Sequence, residues 1–108
     1  MLKNRNFYIG VCHIRLSISG NRSLKGKRAI LSRIKSRVKN SFNVAISEVG
    51  DNDSLRVASL GVSSVSNDGK YLEGQLAKLI NFISGISDAE IEDYSISVEV
   101  KGGDHLPV

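Results

Sequence analysis

The stretch FYIGVCHIRLSISGNRSLKGKRAILSRIKSRVKNSF, residues 7–42, contains the change of hydrophobic period that decides the fold. Residues 7–18 alternate with a period of two, which predicts a β-strand with one buried face. Residues 24–42 repeat apolar side chains at spacings of three, four and seven, which predicts an amphipathic helix. The loop SGNR lies between these segments. The stretch therefore predicts a strand that is followed at once by a helix.

Both segments have an expected buried side. Alternation places one set of strand residues on the core: Tyr8, Gly10, Cys12, Ile14, Leu16 and Ile18. The helix is expected to bury the stripe Leu24, Leu31, Ile34, Val38 and Phe42. Ser23 precedes the helix, where a serine hydroxyl can accept a hydrogen bond from a backbone N–H of the first turn. We therefore expect Ser23 to cap this helix.

The remaining chain repeats the two patterns. Residues 43–50 and 55–66 are predicted strands joined by the turn DND, and SND caps a second helix that Gly85 ends. The stripe of this helix is Leu72, Leu76, Leu79, Ile80 and Ile83. The final predicted strand, residues 89–101, turns four side chains inward: Tyr94, Ile96, Val98 and Val100.

The element order is therefore βαββαβ. Two right-handed crossovers around a central hairpin predict an α+β, ferredoxin-like two-layer sandwich, with a four-stranded antiparallel sheet and both helices on one face. We expect a single domain over residues 1–108, with its core at about 7–101 and flexible ends at 1–6 and 102–108. The second face of the sheet stays uncovered unless a partner docks there.

Composition excludes several classes of protein. The chain has 108 residues, 41% of them apolar and 24% charged, which is typical of a globular domain. A single cysteine excludes a disulfide framework and fits a reducing compartment. No apolar run approaches the roughly 20 residues of a membrane span, and no secretory signal pattern is present. We therefore expect a cytoplasmic protein without membrane contact.

Charge is distributed unevenly along the chain. Residues 1–47 contain eleven Lys or Arg and no acid, whereas residues 48–108 contain four Lys or Arg and eleven acids. The two parts carry +11 and −7, which sum to the net charge of +4. This asymmetry indicates an anionic partner. The alternative is that the two parts neutralise each other when they fold together.

The first helix carries most of the basic residues. Its solvent face has no acid at i±4 to offset them, and its first turn holds cations where the helix dipole disfavours them. Free backbone N–H groups surrounded by Arg22, Lys25, Lys27 and Arg28 would form a phosphate-sized site. The predicted RNA- or anion-binding residues are Arg22, Ser23, Lys25, Lys27, Arg28, Arg33, Arg37 and Lys39. The spacing and residue types do not match a nucleotide-binding P-loop.

Cys12 and His13 are adjacent but cannot form a catalytic dyad, because neighbours on a strand point to opposite faces. Cys12 is expected to be a buried small hydrophobe. His13 and Arg15 share the open sheet face, where they are candidate contacts. That face lacks the aromatic residues on which RNA-binding domains of this fold stack bases, so we favour packing against another subunit there. No converging metal ligands are visible, and we expect no metal and no cofactor.

The motifs RSLKGKR, FNVAISEV and LGVSSVSND together resemble the YlxP-like bacterial family, whose function is unknown. The resemblance extends from Tyr8 to about Val100 and implies the ferredoxin-like fold. It also implies a gene commonly found near genes for translation and ribosome maturation, and hence an RNA or ribosomal partner. This chain departs from the family at Gly26 and Ser59, where an acidic residue is more frequent.

Three hypotheses about function remain open. The first is a non-enzymatic module that binds RNA or ribosomal particles through the basic helix. The second is a structural or regulatory oligomer, such as a homodimer, that pairs through its open sheet face or a sheet edge. The third, which the sequence supports least, is an enzyme acting on a small phosphorylated substrate, because no general base accompanies the anion site.

Overall fold

The computed structural model describes residues 6–86 and 88–102 and has the predicted βαββαβ order. The strands follow the order β2-β3-β1-β4, and each neighbouring pair is antiparallel. This arrangement confirms the ferredoxin-like α+β prediction. The elements are β1 (Phe7–Ser17), α1 (Leu24–Ser41), β2 (Ala45–Gly50), β3 (Val57–Ser66), α2 (Gly69–Ser84) and β4 (Glu90–Lys101).

The two helix starts follow the predicted capping chemistry. Ser23 Oγ accepts a hydrogen bond from the Gly26 N–H at 2.9 Å, and Asp68 accepts one from the Tyr71 N–H at 3.1 Å. Gly85 follows α2 as its C-cap. Both polar side chains satisfy a backbone donor that has no partner inside the helix. Short-range sequence chemistry therefore sets these boundaries.

One hydrophobic core joins the sheet to both helices. The predicted inner residues of β1 from Cys12 to Leu16 are completely buried, and so is most of the predicted stripe of α2. Gly10 lies on the same side of β1, where a side-chain Cβ would collide with Leu72 and Leu76. The absence of a side chain at Gly10 therefore lets α2 approach the central strand closely.

Three predicted core positions are wrong. Leu24 is 39% exposed, because it starts the first turn of α1, and the buried position one turn later is Lys27. Tyr94 and Val100 are more than half exposed. Both lie on β4, a strand at the edge of the sheet with a neighbour on only one side, so less of the molecule covers them.

Some predictions fall outside the described residues. These are most of the predicted flexible ends, residues 1–5 and 103–108. Over residues 6–86 and 88–102, the structure contains no helix that is long and apolar enough to cross a membrane.

Candidate nucleic-acid interface

The entrance of α1 presents two free backbone donors. Ser23 Oγ is engaged by the Gly26 N–H, and the Lys27 N–H donates to the Ser23 carbonyl oxygen at 3.0 Å. The N–H groups of Leu24 and Lys25 donate to no acceptor among residues 6–86 and 88–102. These groups lie at the positive end of the helix dipole, which favours an anion.

Lys27 does not contribute to this surface, and its prediction as a phosphate contact is wrong. Its side chain is only 3% exposed. The ammonium donates to the carbonyl oxygens of Asp51 at 2.6 Å and Ser54 at 2.8 Å, in the turn between β2 and β3. Its nitrogen also lies 3.0 Å from Glu48 Oε2. Lys27 is a neighbour of the apolar stripe, so its stem lies inward and its charge reaches acceptors beneath the helix.

Asn21 makes a second connection between the helix entrance and the same turn. Its side chain is buried, and Nδ2 donates to the carbonyl oxygens of Ser23 at 2.8 Å and Leu55 at 2.6 Å. Asp51 adopts a left-handed backbone, with φ 58°, and accepts a hydrogen bond from the Ser59 hydroxyl at 2.7 Å. Together these bonds hold α1 and the β2–β3 turn in one arrangement. Sequence reasoning missed this role of Asn21.

Five predicted contacts form an exposed, uncompensated set: Arg22, Lys25, Arg28, Arg37 and Lys39. None of them forms an ion pair within the part of the chain that the structure describes. Helical geometry places Lys25, Arg28 and Lys39 along one flank of α1, about 21 Å from first to last. We call this row the basic ridge. It presents charge of one sign along most of the helix.

Besides Lys27, two exposed cations among the predicted contacts have acidic partners. Arg33 on the other side of α1 donates to Asp88, which lies beyond the end of α2. Arg15 on the open sheet face donates from Nε to Glu92 Oε2 at 3.1 Å. Both pairs are about half exposed, so each is worth well under 1 kcal/mol and can exchange for another anion. Arg33 and Arg15 are therefore accessible but already compensated.

His13 and Arg15 lie on the open sheet face as predicted. They border a hollow of about 190 Å³ that Ser59, Asp93 and Ser95 also line. Cys12 points the opposite way and is fully buried, and burial raises the pKa of its thiol to about 11. The adjacent cysteine and histidine therefore cannot act together. The described residues contain no cluster of three His, Cys, Asp or Glu side chains that could hold a metal ion.

The open sheet face carries an apolar patch. Val11, Val49 and Val65 are each about half exposed or more on this face. Ala45, Gly61 and Ser63 lie among them and line a shallow apolar groove with Val11 and Val49. The alternation in the sequence already placed Val11 and Val49 on this side. What it did not show is that strand pairing gathers them into one patch beside Val65.

Comparisons with known proteins identify relatives but no activity. The family described as "Protein of unknown function (DUF503)" matches residues 9–96. The "Uncharacterized protein YlxP" of Bacillus subtilis (strain 168) is 43% identical over 68 residues, which are 63% of this chain and 74% of that protein. A solved structure, "De novo designed protein Foldit4", matches 88% of this chain and 96% of its own at 16% identity, with a TM-score of 0.48.

Proposed function

The chain belongs to the family described as a protein of unknown function, DUF503, and we propose that this member is a non-enzymatic module that docks structured RNA, in free or ribosomal form, through α1. The observation that carries the proposal is the basic ridge. Its lysines and arginine are exposed, share one sign and have no carboxylate partner among residues 6–86 and 88–102.

Positive charge in the first turn of α1 is disfavoured by the dipole of the helix itself. Lys25 lies in the first turn of α1, where the dipole disfavours positive charge, and no acidic residue occurs in that turn. Each adverse dipole or like-charge interaction costs a few tenths of a kcal/mol. A phosphate beside the ridge adds attractive interactions with these cations, and these offset the repulsion. It would also accept hydrogen bonds from the free N–H groups of Leu24 and Lys25.

The acidic part of the chain does not cancel this charge. Of the predicted interface cations, Lys27 pairs with Glu48 and Arg33 with Asp88. Other acidic residues lie on the edge strand β4, namely Glu90, Glu92, Asp93 and Glu99. The fold thus separates an acidic sheet edge from a basic helix face, which supports binding of a polyanion by the helix.

The same geometry favours a binding module over an enzyme. The acid held close beneath the helix entrance is Glu48, which the Lys27 ammonium already engages. A general base has to reach its substrate, and Glu48 lies under the helix and not beside the free N–H groups. An RNA-binding role also fits the expected cytoplasmic location, and the resemblance to a family with a translation-linked gene neighbourhood.

The proposal predicts salt-dependent binding that the basic ridge controls. In filter binding with ribosomal RNA, Lys25→Ala and Arg28→Ala should each weaken binding at low salt. Each should also flatten the slope of log affinity against log salt by about 0.7–0.9, the change expected for one lost phosphate contact. Lys39→Ala extends the test to the far end of the ridge.

Lys78→Ala is the matched control. Lys78 is an exposed lysine on α2, so this variant loses the same charge from another helix. The control should keep the wild-type slope, and Lys27 should not be used because its removal disturbs the fold. Equal slopes for the wild type and all three ridge variants would exclude α1 as the RNA-binding surface.

A further inference from the structure

We propose that the open sheet face is a homodimer interface, in which two copies pack face to face about a two-fold axis that crosses the strands near Val11. This inference is independent of RNA binding, because the face lies on the opposite side of the sheet from the two helices. Its occupant is a second copy of this chain. Self-pairing requires a surface that is complementary to itself after a two-fold rotation.

The apolar centre of the face supports burial. Val11 on the central strand, Val65 on β3 and Val49 on β2 form the patch described above, and Ile9 is half-buried beside them. Between them lie residues with little or no side chain, including Gly61. A patch that is apolar at its centre and polar around it is typical of a protein interface.

The register of the sheet makes the two ends of the face complementary. On β1, Phe7 and Arg15 are equally distant from Val11, and their partners on β4 are Lys101 and Asp93. Rotation about the proposed axis therefore brings Lys101 of one copy over Asp93 of the second copy. It also brings the Arg15 guanidinium over the exposed Phe7 ring, a favourable cation–π arrangement. The same operation repeats each contact at the other end.

Side-chain reach is sufficient for these contacts. Four residues of strand place each end about 13 Å from the axis. In aligned packing the strands of the two sheets cross at about 30°, and this rotation displaces the paired ends by about 7 Å. Extended lysine and arginine side chains span that distance. The axis also carries Val65 towards Gly61 of the second copy, where it meets the Val49 side chain that lies over that glycine.

Pairing through a sheet edge is less favourable. The long free edge is β4, and a fully overlapped β4–β4 contact would place Glu92 of each copy opposite Glu99 of the other. Like charges that face each other across strands are destabilising. The open sheet face, by contrast, carries both positive and negative charge at each end. Lys101 and Glu99 lie at one end, and Arg15 and Asp93 lie at the other.

Sedimentation velocity tests the proposal through charge reversal. A face of four strands, eight residues long, covers roughly 500 Å² per copy, so the pair is near the lower size limit of specific interfaces. We expect a dimer with a Kd in the range of about 1–10 µM. Asp93→Lys or Lys101→Asp alone should weaken dimerisation about tenfold or more, because each creates like-charge contacts at both ends.

The double variant, Asp93→Lys with Lys101→Asp, should restore the wild-type dimer, because the opposite charges meet again with their positions exchanged. Glu73→Lys and Lys78→Asp reverse exposed charges on α2 and should leave the dimer unchanged. Val65→Lys, at an exposed site in the apolar centre, should weaken dimerisation as well. A wild-type protein that remains monomeric at about 100 µM would overturn the proposal. A dimer that is indifferent to Asp93, Lys101 and Val65 would also overturn it.

Discussion

Lys25 and Lys27 are the same residue type in the same motif, yet α1 gives them opposite environments. They project from the helix about 160° apart. Lys25 is exposed and without an ion pair in the described structure, whereas Lys27 is buried against the β2–β3 turn. The comparison shows that a basic motif can divide its charges between two tasks. Lys27 stabilises the fold, and Lys25 remains available to a partner.

The largest expected effect comes from removing the inner charge. Lys27→Met leaves the Glu48 carboxylate without its cation and removes the donor for two carbonyl oxygens. Removing one partner of a buried pair leaves an uncompensated charge, so we expect a loss of about 3 kcal/mol in the free energy of unfolding. Urea denaturation followed by circular dichroism measures this change.

Lys25→Met is the matched control for that experiment. It makes the same substitution on the outer side, where we expect a change within about 0.5 kcal/mol. The double variant, Lys27→Met with Glu48→Gln, should lose much less free energy of unfolding than the sum of the losses in the two single variants, because both substitutions break the same pair. Equal stabilities of the two lysine variants would contradict the division between an inner and an outer charge.

The second expected effect extends the comparison to adjacent residues of β1, where Cys12 is buried and His13 is exposed. Burial raises the pKa of the Cys12 thiol from an ordinary value near 9 to about 11. As the pH rises through this window, the unfolded chain loses the thiol proton before the folded chain does. The free energy of unfolding therefore falls, by about 2–3 kcal/mol in total between the two pKa values.

Cys12→Ala isolates this contribution. The variant loses some packing at every pH, but the difference from the wild type should shrink as the pH rises above 9, because the wild type alone has the buried thiol. Urea denaturation at neutral pH and at about pH 10 measures the difference. If the free energies of unfolding of the wild type and Cys12→Ala differ by the same amount at both pH values, the thiol does not ionise on unfolding.

The smallest effect concerns the backbone at the helix entrance. In most helices a Gly→Ala change stabilises by up to about 1 kcal/mol. At Gly26 a Cβ would collide with Asn21 Oδ1, and two hydrogen bonds hold that side chain in place. We expect Gly26→Ala to lose about 1 kcal/mol instead. In thermal or urea unfolding, Gly74→Ala on α2, where a Cβ meets open space, should show the ordinary gain.

Local sequence patterns predict most of the fold because they act over a few residues. The change of period at the loop after β1 gives the strand and the helix, and Ser23, Asp68 and Gly85 mark the helix ends. The candidate interface was harder to predict. A helical wheel places Lys27 beside the apolar stripe. It does not show that carbonyl oxygens of the β2–β3 turn lie beneath this lysine and accept its hydrogen bonds.

The order of the elements, the family and the strongly basic first helix all follow from the amino-acid sequence alone. These features depend on periodicity, capping and composition, which are properties of neighbouring residues. The folded arrangement is needed to show which cations are free and which apolar side chains gather on the open sheet face. Those outcomes depend on contacts between distant segments, as when Lys27 meets the β2–β3 turn and strand pairing brings Val65 near Val11.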